Sequence, residues 1–479
     1  MKVAIIDYGM GNLNSVAKAF EALNAETRVT NRAVDLEAAD RIVLPGVGAF
    51  GEGMNRLKQL QLIEPLKREV KEKKKPFLGI CLGMQLLAQE SFEHGRHAGL
   101  GWVHGVVKPF DNDGELKSIH IGWNDVIPSK NTGLFQGLGM SPNFYFVHGF
   151  HLDSTDPASA YATSAYGKRF VSAVKQDNIV GVQFHPEKSQ ETGLAFLNNF
   201  LKWEGLNKKP KEAAVEKVSQ NKPKQRLIPT LLLKDGRLVK TVQFQIPKQG
   251  LRTYVGDPVK APMVYDAQLA DELVLLDIHA TCEGRTVDNL CRAIQAISGR
   301  IFMPLTAGGG VRSTEDVRSL LKAGADKVVI NSAAVSNPKL ISEAAMLFGN
   351  QCVVIAIDVR RKPDGSYAVF TQSGTQAAKL DAVAWAKQAE KFGAGELLLT
   401  SIDRDGTMQG YDKALIEQVS QAVNIPVIAS GGVGSLDDLL EGLQAGASAV
   451  AAASLFHFRD ISPIKAKAFL QRSGLAVRQ

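Results

Sequence analysis

At 479 residues the chain is too long for one ordinary hydrophobic core, so two domains are expected. With 45% hydrophobic and 22% charged residues and no apolar run of about 18 residues, it reads as a globular protein with no membrane partner. Much of the net charge of +7 sits in one stretch, residues 206–225, where six lysines face Glu212 and Glu216 without interleaved aromatics; that excludes a nucleic-acid arm in favour of a solvated linker.

The N-terminus runs straight into a strand-like Val3–Ile6 with no leader pattern. Ser15–Leu23 reads as a helix with Val16, Phe20 and Leu23 on one face, and Arg41–Leu44 as the next strand. Gly46-Val47-Gly48 turns that strand's end into a loop whose backbone amides can approach a ligand closely. The apolar run Pro76–Ile80 then ends in Gly79-Ile80-Cys81-Leu82-Gly83, followed by a helix-like pattern over Met84–Glu90. This is a nucleophile elbow with cysteine as the nucleophile: small neighbours permit the sharp strand-to-helix turn. A helix N-terminus behind it favours a thiolate and offers amides to an oxyanion. His94 and His97 lie among glycines and read as loop residues. Asn143–His148 alternates as a strand, and its His148 reads as structural.

Ile179–Phe184 is strand-like and ends in His185, with Glu187 two residues on. A base that activates a thiol needs such a carboxylate to orient it. Together these segments resemble class I glutamine amidotransferases. That resemblance implies Cys81 as nucleophile, His185 as base and Glu187 as its orienter. Met1–Ser15, Pro45–Phe50 and His120-Ile-Gly-Trp-Asn124 narrow it to the glutaminase part of imidazole glycerol phosphate synthase. In that family the segment matching Gly46, Val47 and Gly48 forms the oxyanion strand, and Gln85 helps hold glutamine.

The expected organisation is a glutaminase domain over 1–205, a Lys-rich linker over 206–225 with a short helical pattern at Glu212–Val218, and a second domain over 226–479. The first is α/β with a mostly parallel sheet. The second repeats apolar strands and helical patterns: Leu227–Leu233, Leu273–Ile278, Ile301–Leu305, Lys327–Ile330, Cys352–Ile357, Leu397–Ser401, Pro426–Ala429 and Ala449–Ala452. Eight such units predict a (β/α)8 barrel. Gly309-Gly310-Val311 recurs as Gly431-Gly432-Val433, and Gly324-Ala325 as Gly446-Ala447, both at an offset of 122 residues, so the barrel reads as two fused halves. Glycine loops at strand ends, half a barrel apart, suit a ligand with a phosphate at each end.

Lys234–Lys240, Ala325–Ser332, Leu399–Thr407 and Ala452–His457 resemble the cyclase part of the same synthase. The resemblance implies phosphate contacts at Gly309, Gly310, Asn331, Ser332, Gly431, Gly432 and Ser454. It places Lys240 on a loop over the site and makes Asp358 one catalytic carboxylate. Arg226, Glu272, Lys327 and Glu396 match the family's charged ring, an ammonia gate. The pattern breaks at one point: where the family has its other catalytic aspartate, this chain has Leu232. The segment Val242–Tyr254 is also longer than the family's loop.

The first reading is therefore a glutaminase whose ammonia passes through a diverged barrel to another acceptor, such as a separate sugar amidotransferase of surface-polysaccharide synthesis. A second is the bifunctional synthase of histidine biosynthesis, acting on glutamine and a bisphosphorylated ribonucleotide. A third is a non-enzymatic bisphosphate-binding scaffold. All three place the chain in a reducing cytoplasm; four cysteines without ligand spacing predict no metal, and no cofactor is expected.

Overall fold

A computed structural model of the chain describes residues 1–111, 116–129, 133–154, 159–205, 223–246 and 254–478. The linker pattern Glu212–Val218 lies outside the described residues. The chain forms two compact units: Met1–Pro223 with Met346–Gly349, and Lys224–Ala345 with Asn350–Gln479. Among the described residues no helix is long and apolar enough to cross a membrane.

In the first unit the described residues build an eight-stranded sheet. Its order is Glu26–Thr30, Lys2–Ile6, Arg41–Leu44, Phe77–Ile80, Ile179–Val182, Lys168–Gln176, Ala160–Tyr166 and Ile127–Pro128. The first five strands pair in parallel and the rest antiparallel. Arg41–Leu44, Phe77–Ile80 and Ile179–Val182 are buried along their whole length, as interior parallel strands must be, which explains their unbroken apolar runs. Because these three are neighbours, their C-terminal ends bring the 45–48 loop, Cys81 and the approach to His185 to one edge of the sheet.

The predicted helix over Met84–Glu90 is shorter in the structure: it spans Leu82–Gln85. The carbonyls of Leu86, Leu87 and Ala88, which would accept the next helical turns, instead accept from the amides of Leu100, Trp102 and Gly101. Tertiary pairing thus outcompetes the helical pattern. His97 is not in a loop either; His97–Ala98 forms a short strand against Glu90–Ser91. The strand before His185 ends at Val182, and a 3-10 turn over Pro186–Lys188 follows the histidine.

The second unit is a closed barrel of eight parallel strands, here β1 (Arg226–Lys234), β2 (Leu273–Asp277), β3 (Leu305–Gly308), β4 (Lys327–Ile330), β5 (Val353–Arg361), β6 (Glu396–Ser401), β7 (Val427–Ser430) and β8 (Ala449–Ala452). The ring closes where Arg226 pairs with Ala449, and every other neighbouring pair is in register. Ile228, Val274, Val329, Val354, Leu398, Ile428 and Ala449 fill its interior as a packed core. β3 begins at Leu305, not at Ile301 as the apolar run suggests. Pro304 has no N–H for the ladder, so pairing starts after it.

Antiparallel extensions leave the mouth at two strands. β1 turns at Asp235-Gly236, both at positive φ, into Arg237–Val239. β5 continues to Arg361 and pairs with Tyr367–Thr371. Matching helices in the two halves start alike: Ser313 with Asp316, and Ser435 with Asp438, each form a capping box.

Candidate active sites

Cys81 stands at the end of Phe77–Ile80 with φ 52 and ψ −106, a strained conformation for a side-chain-bearing residue. Its amide donates to Val182 O at 2.7 Å, and its carbonyl accepts from Met84 and Gln85, so the turn is fixed on both sides. Glycine is required at Gly83, where a Cβ would lie 1.8 Å from Leu44 O. His185 Nδ1 and Glu187 Oε1 are 2.7 Å apart, both buried. Burial pushes the imidazole pKa down, but the charges of Cys81 and Glu187 outweigh it, so His185 is held well above its ordinary value. The thiol thus has a cationic neighbour.

Gln183 donates to Cys81 Sγ at 3.5 Å, and Gln85 Nε2 in turn donates to Gln183 Oε1 at 3.2 Å and to Phe150 O at 2.9 Å. Gln85 here steadies the residue beside the thiol. The 46–48 loop borders the elbow through Leu82 N donating to Gly46 O at 3.2 Å. His148 is fully buried with its pKa down at about 3, chiefly through desolvation. Its Nδ1 donates to Phe150 O at 2.8 Å, which leaves Nε2 to accept from His120 Nδ1 at 3.0 Å. Asn124 Nδ2 closes the chain by donating to His120 Nε2 at 3.1 Å. Both histidines are therefore neutral and bound in a chain, as a structural role for His148 requires.

In the barrel, Arg226, Glu272, Lys327 and Glu396 stand at the N-terminal ends of β1, β2, β4 and β6, each at most 1% exposed. Arg226 bonds Glu272 at 2.9 Å and also Glu396; Lys327 bonds Glu272 at 2.6 Å and Glu396 at 2.5 Å. Burial raises the Glu272 carboxyl, but Lys327 and Arg226 overcome it and leave its pKa lowered. Two cations and two anions close that end of the bore without a net charge.

The opposite, C-terminal end opens into a pocket. Gly309, Gly310, Asn331, Ser332, Gly431, Gly432 and Ser454 all line it. Gly309 and Gly431 take φ 116 and 92, and a Cβ there would fall 2.2 Å from Asp277 O and 2.7 Å from Ser401 O. β3 and β7 lie four steps apart in the ring, so these loops face each other across the mouth. Asp358 lines the pocket between them and receives a hydrogen bond from Asn331 Nδ2 at 2.7 Å. Burial first, then the charge of Asp405, push its carboxyl up to about 7. A carboxyl that titrates near neutrality can both give and take a proton. Leu232 lines the same pocket with Leu276, Val329 and Leu398.

Residues 4–203 match the glutamine amidotransferase class-I family, and residues 226–462 match the histidine biosynthesis protein family. Over 99% of its length the chain is 33% identical to the imidazole glycerol phosphate synthase hisHF, chloroplastic, of Arabidopsis thaliana, covering 89% of that protein. The chain belongs to the imidazole glycerol phosphate synthase family. It is a glutamine amidotransferase joined to a histidine-biosynthesis barrel. These matches correct the order of the sequence readings: they favour the bifunctional synthase over ammonia transfer to sugar amidation, which none of them supports.

Within the family frame, three residues escaped the sequence reading. Gln183 sits two residues before His185 and carries no motif of its own. Asp405 lines the barrel pocket and accepts from Thr241 Oγ1 at 2.8 Å. His279 lines it too. Only the strand-end rule for barrels pointed to the latter two. Of the long segment Val242–Tyr254, residues 247–253 lie outside the described residues. The part before them is pinned to the β6 side: Gln243 N donates to Asp405 O at 2.8 Å.

Proposed function

We propose that the chain is a bifunctional imidazole glycerol phosphate synthase. Cys81 thiolate attacks the glutamine side-chain carbon, and backbone amides of the Val47 loop take up the oxyanion charge. His185, oriented by Glu187, gives its proton to the departing nitrogen, so the C–N bond breaks and ammonia leaves. His185 then takes a proton from water, which attacks the thioester to release glutamate. Ammonia entering the bore from its N-terminal end has to pass Arg226, Glu272, Lys327 and Glu396.

At the mouth, the Gly309–Gly310 loop with Asn331 and Ser332 holds one phosphate of a bisphosphorylated aminoimidazole carboxamide ribonucleotide. The Gly431–Gly432 loop with Ser454 holds the other. Asp358 moves a proton as ammonia is incorporated, giving imidazole glycerol phosphate, an aminoimidazole carboxamide ribotide and one water. The observation that carries this reading is the pair of glycine loops facing each other across one pocket, with a carboxyl of pKa about 7 between them. Leu232 favours a second reading, in which ammonia leaves for another acceptor. The test supplies ammonium salt at alkaline pH with the bisphosphate to Cys81→Ala. Turnover without glutamine hydrolysis is expected. No consumption of the bisphosphate, with glutaminase intact in the parent chain, selects the second reading.

A further inference from the structure

Four residues lining the barrel pocket carry titratable side chains: Asp277, His279, Asp358 and Asp405. Proton transfer on both sides of a bound substrate needs a second free group besides Asp358. Asp277 is not free. Arg285 grips both of its oxygens, at 2.7 and 3.0 Å. Asp405 is held by Thr241 and stands near enough to Asp358 to raise that carboxyl, so it lies on the same side of the pocket. That leaves His279.

We propose that His279 is the proton-transferring group opposite Asp358, in the role that Leu232 has vacated. The inference rests on the synthase reading of the barrel. His279 follows the end of β2, and β2 pairs with β1 so that Leu276 is level with Leu232. Ile278 N donates to Leu233 O at 3.1 Å, which continues that alignment and keeps His279 beside the end of the strand that carries Leu232. β2 and β5 are three steps apart in a ring of eight, so His279 and Asp358 face the pocket from different sides. His279 Nδ1 is buried and has no hydrogen-bond partner among the described residues. A buried, unpaired nitrogen on a pocket wall is costly unless a ligand satisfies it.

The charges around the ring are Lys234, Glu283, Asp277 and Arg285. Arg285 occupies both carboxylates, bonding Glu283 at 2.6 Å as well as Asp277. Burial, then Lys234, hold the imidazole below its usual 6.5, so it is neutral at pH 7 and can accept a proton. With the ring proton on Nε2, Nδ1 takes one proton from the ammonia-derived nitrogen as its bond to carbon forms. The C–N bond from that carbon to the aminoimidazole carboxamide ribotide breaks, and the protonated Asp358 carboxyl gives one proton to the departing ribotide amine. One proton enters the pair and one leaves, and exchange with water resets both.

The test measures ammonium-driven turnover of the bisphosphate by the full chain and by His279→Asn, His279→Asp and Leu232→Asp/His279→Asn. His279→Asn is expected to lose about 10²–10⁴-fold in kcat with little change in KM. His279→Asp keeps a proton carrier and retains part of the rate, and adding Leu232→Asp restores His279→Asn. His279→Asn turning over at the parent rate, or failing through KM alone, overturns the role of His279 and leaves the synthase reading standing. No turnover by the parent chain overturns both.

Discussion

The two halves of the barrel share their glycine loops and differ in the side chains at two strand ends. Gly309–Gly310 after β3 and Gly431–Gly432 after β7 adopt the same positive-φ loops, and Ser313/Asp316 and Ser435/Asp438 start the next helices with the same capping box. At the ends of β1 and β5 the correspondence fails: one half offers Leu232, the other Asp358. Backbone loops that bind an anion depend on conformation and survive as long as their glycines do. A proton carrier depends on one side chain and is lost in one substitution. Likeness between the halves therefore reports on loop conformation and says little about the side chains at the strand ends.

The comparison breaks most sharply at Asp358. Asp358→Asn is expected to cut ammonium-driven turnover by about 10²–10⁴-fold while leaving glutamine hydrolysis at its parent rate; an unchanged barrel rate would make the surviving carboxyl as dispensable as the missing one. Leu232→Asp restores symmetry between the halves. It should raise the same rate by about tenfold without touching the glutaminase, measured by bisphosphate consumption.

A smaller effect separates the loops. Gly309→Ala and Gly431→Ala both force a Cβ onto a neighbouring carbonyl, and each should weaken binding of the bisphosphate, by about tenfold in titration calorimetry. Loss at only one loop would mean that a single phosphate anchors the ligand. The smallest effect is on stability. Ser313→Ala and Ser435→Ala each remove a cap and should cost about 1 kcal/mol in denaturant unfolding, alike in the two halves.

The barrel was legible because its strands are largely buried apolar runs that recur with their glycine turns. The thiol site was legible because Cys81 and His185 each end a segment with a motif. Where the reading failed, partners distant in sequence decided. The amides of Leu100–Trp102 end the helix after Gln85, and Pro304 delays β3. His148 looked partnerless until a strand pairing placed His120 beside it. Gln183 and His279 gain meaning only from what faces them.

The Arg226–Glu272–Lys327–Glu396 ring ties four positions of the barrel to one another. Each member bonds two or more charges in a dry interior, so replacing one strands its partners, at about 3–5 kcal/mol. That is a large part of a domain's whole stability. A single substitution at any of the four would therefore leave two buried partners each one ion pair short. Leu232, with apolar neighbours and no ion partner, is under no such constraint.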